Sequence, residues 1–187
     1  DPDKRENGRV CNETLSRFAR GVRDLSSRHS IPVADANALM LDVQTRAKAE
    51  DPAFTMIPDS VHPGEAGQAV MAYALLKALG CTNFVSSLEI HAATSASTAD
   101  RCTLTDLRIA GNLLTFRRTD DALPAYLDPG VMPVLKYLPF EADLNQYLLK
   151  VVGLKAGQWQ LTVEGLGLGV FAADELAQGV NLAMMPG

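Results

Sequence analysis

The chain has 187 residues, 47% of them apolar and 21% charged, and a formal net charge of −5. That balance suits a globular fold of one good-sized domain, or one small domain with an appendage. It contains no basic run with interleaved aromatics of the kind that grips nucleic acid, and no apolar run near the ~20 residues that span a bilayer.

Residues 1–10 are polar and turn-prone. The start Asp1-Pro2-Asp3-Lys4, with neither an initiator Met nor a signal peptide, reads as the interior of a longer polypeptide. Leu15, Phe18, Val22 and Leu25 then recur at helical spacing among Arg17, Arg20, Arg23 and Asp24. This predicts a helix over 12–28 with Asn12 as its N-cap. Ile31-Pro32-Val33-Ala34 is a short apolar run that suits a buried strand, with Asp35 ending it and capping the next helix. That second helix is expected over 37–50, with Leu39, Val43 and Ala47 on one stripe and Asp51-Pro52 as its stop. The loop 54–63 leads into a nearly continuous apolar helix over 64–79, closed by Gly80 and expected to be buried on most sides.

Beyond Gly80 the apolar period shifts towards two. Leu88 and Ile90 alternate with Glu89 and His91. Leu107 and Ile109 lead through Gly111-Asn112 to Leu114 and Phe116, a hairpin pattern. Tyr147, Leu149 and Val151 alternate next, and a turn holding Gly153 and Gly157 joins them to Trp159, Leu161 and Val163. Glu164-Gly165 turns into 168–171, and a short helix over 172–178 ends at Gly179. A Pro-rich crossing lies near 124–139. The predicted organisation is therefore an α/β region over 1–83 and a smaller, mainly β region over 84–187. One strand cannot make a sheet, so the first region needs strands from elsewhere.

Few residues carry chemistry. Cys11, Cys81 and Cys102 lie too far apart to describe a disulfide scaffold or a zinc site, though one bridge plus one free thiol stays open. Arg117-Arg118, followed at once by Asp120-Asp121, reads as a solvated strand end. His29 at a helix end and His91 at a strand end read as structural. Trp159 reads as core, with a sugar-stacking platform as its alternative role. His62 differs. Asp59 stands three residues before it on one loop, and Pro63 fixes the backbone after it. A turn across 59–62 can bring the carboxylate to the imidazole Nδ1–H, which leaves Nε2 free to take a proton from a nucleophile. Asp59, His62 and Glu65 are also spaced to meet one metal ion, but no second histidine or carboxylate cluster accompanies them.

The stretch Ile57-Pro58-Asp59-Ser60-Val61-His62-Pro63-Gly64-Glu65-Ala66-Gly67 resembles the last conserved block of the GDSL, or SGNH, esterases: Asp-x-x-His-Pro followed by a Gly-bearing helix. The likeness covers about residues 10–80, including the helix begun by Asn12-Glu13-Thr14-Leu15 and the strand ended by Asp35. Leu144-Asn145-Gln146-Tyr147 and Gly179-Val180-Asn181-Leu182-Ala183 are similar to an extension in some bacterial members. The resemblance implies part of a three-layer α/β/α, flavodoxin-like fold with a mainly β C-terminal extension. It implies hydrolysis of small carboxylic esters, acylated carbohydrates among them. His62 would be the general base and Asp59 its orienting acid, with no cofactor or metal. Export to the periplasm or beyond follows from the resemblance alone.

This chain departs from the family in having no Gly-Asp-Ser block and no recognisable Gly and Asn donors to an oxyanion. Ser60, in the tight loop between Asp59 and His62, is badly placed to be the nucleophile. The nucleophile and oxyanion donors are therefore expected in a missing N-terminal segment or an associated chain. The alternative function is a noncatalytic α/β-plus-β unit that binds carbohydrate or a partner.

Overall fold

The computed structural model describes residues 5–6, 9–183 and 185, with side chains from residue 12 onward. The start Asp1–Lys4 and the thiol of Cys11 lie outside the described set. The fold is mixed α/β and divides into two units. One is Asp1–Cys81 with Leu127–Phe140, and the other is Thr82–Tyr126 with Glu141–Gly187. The Pro-rich stretch thus belongs mostly with the first unit.

The first unit begins with a two-residue strand pair, β1 (Arg5–Glu6) and β2 (Arg9–Val10), followed by α1 (Cys11–His29), α2 (Ala36–Glu50) and α3 (Glu65–Ala78). Asn12 is not the cap of α1, because β2 runs directly into the helix and Asn12 sits inside its first turn. Asp35 does cap α2: its carboxylate accepts from the Ala38 N–H at 3.0 Å and also pairs with Arg23. The run Ile31–Ala34 is not a strand here. A strand exists only through ladder bonds to a neighbour, and no described strand pairs with this run.

The apolar stripe of α1 is turned the wrong way for a self-sufficient unit. Its part-buried positions are Asn12, Ser16, Ala19, Arg23 and Ser26, a polar and small-residue line, while Leu15, Phe18, Val22 and Leu25 are exposed, Phe18 by 70%. Burying the exposed parts of those four side chains would contribute on the order of 1 kcal/mol each. Helix α3 is likewise buried on one side only: Gly67, Val70, Tyr73 and Ala74 face inward, and Met71, Leu75 and Leu79 face out. The expectation of burial on most sides is not met.

The returning stretch closes the first unit's core. A 3₁₀ turn, Pro129–Val131, and α4 (Met132–Leu135) lead the chain through this core, burying Val131, Val134, Leu138 and Phe140. Phe140 lies 6.2 Å, ring to ring, from Tyr73. Arg46 donates to the Tyr137 carbonyl at 2.9 Å, and Glu50 accepts from the Tyr137 hydroxyl at 2.9 Å and pairs with Lys136. The Pro-rich crossing is pinned to α2 by bonds between groups 86 and 91 residues apart in the chain.

The second unit holds β3 (Phe84–His91), β4 (Ala96–Asp100), β5 (Cys102–Ala110), β6 (Leu113–Asp120), α5 (Phe140–Leu144, from its second residue), β7 (Gln146–Val152), β8 (Gln158–Val163), β9 (Leu166–Ala172), α6 (Ala173–Gln178) and β10 (Val180–Asn181). The hairpins β5–β6 and β8–β9 form where Gly111-Asn112 and Glu164-Gly165 predict them. Strand β7 does not pair with β8. It lies parallel to β3 and antiparallel to β10, in a sheet ordered β10-β7-β3-β4. Alternation puts Leu88 and Ile90 on β3 and Leu149 and Val151 on β7 into one buried cluster, and burying them together decides the pairing. Asn145 and Asn181, one from each of the tail segments 144–147 and 179–183, meet: the Asn181 amide donates to the Asn145 carbonyl at 3.1 Å.

Arg118 is not a solvated strand end. Its side chain is 8% exposed and that of Asp120 6%, while Arg117 stays in solvent. Arg118 Nε donates to Asp120 Oδ1 at 2.8 Å, and its guanidinium also bonds Ser86 Oγ and the Leu148 carbonyl. It stacks 4.1 Å from the centre of the Tyr147 ring, whose hydroxyl donates to Asp120 Oδ2 at 2.7 Å. Burial alone would push the Asp120 carboxyl up, but the bonds from Ser86, Tyr147 and Arg118 outweigh it and hold the carboxyl below its ordinary value. Burial and the Asp120 bond push the Tyr147 phenol up to about 12. Because removing one partner strands a buried charge, Arg118→Met is expected to lower stability by about 3–5 kcal/mol in urea titration. Arg117→Met should leave the midpoint nearly unchanged.

Candidate active site

The loop between α2 and α3 is built from its anchors upward. Gln44, buried on α2, donates to the Phe54 carbonyl at 3.1 Å and accepts from the Met56 N–H at 3.2 Å, so one side chain grips both sides of Thr55. Met56 is buried, and its carbonyl accepts from the Gly64 N–H at 2.9 Å, closing the loop. Gly67 lets the helix approach this closure. A Cβ there would fall 2.8 Å from the Met56 oxygen and 2.9 Å from the Pro63 Cβ. At the tip, Ser60 takes the left-handed conformation with φ +66°, and its N–H donates to the Ile57 carbonyl.

This turn wraps the Asp59 carboxylate. Oδ1 accepts from the backbone N–H groups of Val61 at 2.9 Å and His62 at 2.7 Å, and Oδ2 accepts from His62 Nδ1–H at 2.7 Å. The His62 backbone bond, then its side-chain bond, then the Val61 bond hold the Asp59 carboxyl far below the usual carboxylate range. An ionised carboxylate only accepts, so the proton sits on Nδ1 and Nε2 is the basic nitrogen. The pair is open to solvent: the His62 side chain is 81% exposed and the Asp59 side chain 55%.

The three-residue spacing pairs Asp59 with His62, and the structure brings them together. It does not bring Glu65 to them. The Glu65 carboxylate lies against the α-carbon of Gly130, where a Cβ would fall 1.5 Å from its Oε2. The metal reading of Asp59, His62 and Glu65 is therefore not supported: among the described residues no group of three or more His, Cys, Asp or Glu side chains is placed to hold an ion. His29 ends α1 and is exposed. His91 Nε2 lies 3.0 Å from Glu89, which Lys150 also holds at 3.1 Å, an exposed strand-end cluster. The Trp159 ring packs on the second unit's core and its Nε1–H donates to the Lys155 carbonyl at 3.0 Å. Cys81 and Cys102 are free thiols. Of two supporting residues, Gln44 and Gly67, sequence patterns leave Gln44 unmarked. Gly67 is visible within the Gly-bearing helix, whereas nothing in the sequence links Gln44 to residues ten and twelve positions away.

No protein-family model and no curated protein matches the sequence. Among solved structures, the chain is similar to BT4096, a gut microbial diltiazem-metabolizing enzyme, at 30% identity and a TM-score of 0.80. The match covers 99% of this chain and 45% of that one, so the chain spans less than half the length of that enzyme.

Because the Asp59 carboxyl is depressed, its bonds to the loop are present above the ordinary aspartate value and are lost only as pH falls through the lower, folded value. A carboxyl NMR titration should find Asp59 still fully ionised at about pH 3.9, where an unperturbed aspartate is half protonated. Gly67→Ala forces Pro63 or Met56 to move and is expected to cost about 1–3 kcal/mol, with displaced His62 imidazole resonances.

Proposed function

We propose that the chain is part of a serine ester hydrolase of the SGNH type, with His62 as general base and Asp59 as its orienting acid. The observation that carries this reading is the Asp59 carboxylate bound at once to His62 Nδ1 and to two backbone N–H groups of the same loop. That arrangement fixes the tautomer, aims Nε2 away from the loop and offsets the positive charge that forms on the imidazole. In the reaction, Nε2 takes the proton of a serine hydroxyl as its oxygen attacks the ester carbonyl. It then gives that proton to the departing alkoxide, and water cleaves the acyl-enzyme by the same route.

The serine and the oxyanion donors belong to polypeptide outside these 187 residues, in a three-layer α/β/α domain of which the first unit is the closing part. The likeness to a diltiazem-metabolizing enzyme supports an enzymatic role. The choice of a small ester as substrate rests on the resemblance of residues 57–67 to the SGNH block.

The full-length product of the reading frame that encodes these residues is expected to hydrolyse p-nitrophenyl acetate. His62→Ala should lower kcat/KM by about 10²–10⁴-fold, the range of a positioned acid–base group. Activity that survives this substitution sinks the assignment. Residues 1–187 alone should resist a fluorophosphonate probe, and stoichiometric labelling of them would place the nucleophile within this chain.

A further inference from the structure

Asn145 is fully buried between α5 and β7. Its side-chain amide pairs with the backbone of a residue 20 positions away: Oδ1 accepts from the Ala125 N–H at 2.8 Å, and Nδ2 donates to the Ala125 carbonyl at 3.1 Å. Its main chain is tied on both sides. The Asn145 N–H donates to the Glu141 carbonyl at 3.1 Å, and its carbonyl accepts from the Asn181 amide at 3.1 Å. All of these groups belong to the second unit. The stretch 126–144 is thereby a closed loop with its base in that unit, while its body, Leu127–Phe140, belongs to the first. There Val131, Val134, Leu138 and Phe140 are buried, Gly130 lies against Glu65 at the start of α3, and Lys136 and Tyr137 hold Glu50 of α2. The body of the loop therefore packs on both helices that flank the His62 loop.

We propose that Asn145 is a positioning residue for the His62 loop and that the second unit is a structural partner of the first. By closing 126–144 at its base, Asn145 holds ready the segment that fills the first unit's core and keeps α2 and α3 in place. A segment already closed at its base loses less conformational freedom when it packs than an open one does. The needs of Ala125 do not account for the clamp. Ala125 is exposed, so water can serve its backbone, whereas a buried asparagine is costly unless both its amide groups are bonded. What the clamp secures is the place where the loop begins and ends. Gln44 on α2 and Gly67 on α3 shape the His62 loop only while those two helices keep their spacing, so the effect of Asn145 reaches His62 through them. This inference concerns the fold that presents His62 and does not rest on the hydrolase reading.

The test is amide hydrogen exchange on the full-length product, read residue by residue. The Met56 N–H, bonded to Gln44, and the Gly64 N–H, bonded to the Met56 carbonyl, report on the His62 loop. Asn145→Ala should speed exchange at both by about tenfold or more, as expected when two hydrogen bonds of a buried group are lost, and by less in strands β3 and β7. A merely local role for Asn145 gives the opposite pattern. A rise at Met56 and Gly64 smaller than tenfold, or smaller than the rise in β3 and β7, overturns the proposal. The unsubstituted product supplies a second measurement that does not depend on the variant folding. If the loop body stays packed only while its base is closed, the protection factors of Met56 and Gly64 do not exceed that of Ala125. Met56 or Gly64 more strongly protected than Ala125 means that the first unit's core survives an open clamp, and that result also overturns the proposal. Neither measurement uses catalysis, so loss of the hydrolase assignment leaves this inference standing, and its failure leaves that assignment untouched.

Discussion

A single carboxylate organises the loop that presents His62. Asp59 accepts two backbone N–H groups and one imidazole N–H, all from residues within three positions of itself. The backbone bonds hold the turn in the conformation that presents the imidazole. The imidazole bond fixes which ring nitrogen carries the proton. Folding of the loop and fixing of the imidazole tautomer are thus one event, governed by one charge. Because the pair is exposed, its order comes from the loop's own bonds rather than from burial.

The loop in turn depends on its anchors. Gln44 satisfies a carbonyl and an N–H on either side of Thr55 and is itself buried, so the interior of the first unit carries a polar side chain for the sake of the loop. Gly67 allows α3 to meet Met56 and Pro63 without a side chain between them. Val134, Leu138 and Phe140 fill this unit's core from a distant stretch of the chain, and Gly130 provides the flat surface on which the Glu65 carboxylate rests. This removes Glu65 from any shared site with Asp59 and His62.

Burial logic runs in opposite senses in the two units. In the second, a charged pair is buried and satisfied: Arg118 and Asp120 sit among Ser86, Tyr147 and the Leu148 carbonyl, and no described buried side-chain nitrogen or oxygen lacks a partner. In the first, apolar side chains that should be inside are outside. An amphipathic helix is stabilised in a protein chiefly by burying its apolar face, and α1 turns a polar line inward instead.

Local patterns were legible in the sequence. Helices α1, α2 and α3 follow from apolar period and stop signals, the hairpins from Gly111-Asn112 and Glu164-Gly165, and the Asp59–His62 bond from a three-residue spacing on a Pro-bounded loop. Each depends on neighbours in the chain, whose geometry the backbone restricts to a few choices. The tertiary structure decided the features that depend on distant partners. It joined β7 to β3 in parallel rather than to β8, because a shared apolar cluster outweighs proximity along the chain. It buried Arg118 while leaving Arg117 in water, since alternate strand positions point to opposite faces. It also left Ile31–Ala34 without a sheet and the α1 stripe uncovered, because periodicity marks which residues seek burial but cannot supply the surface that buries them.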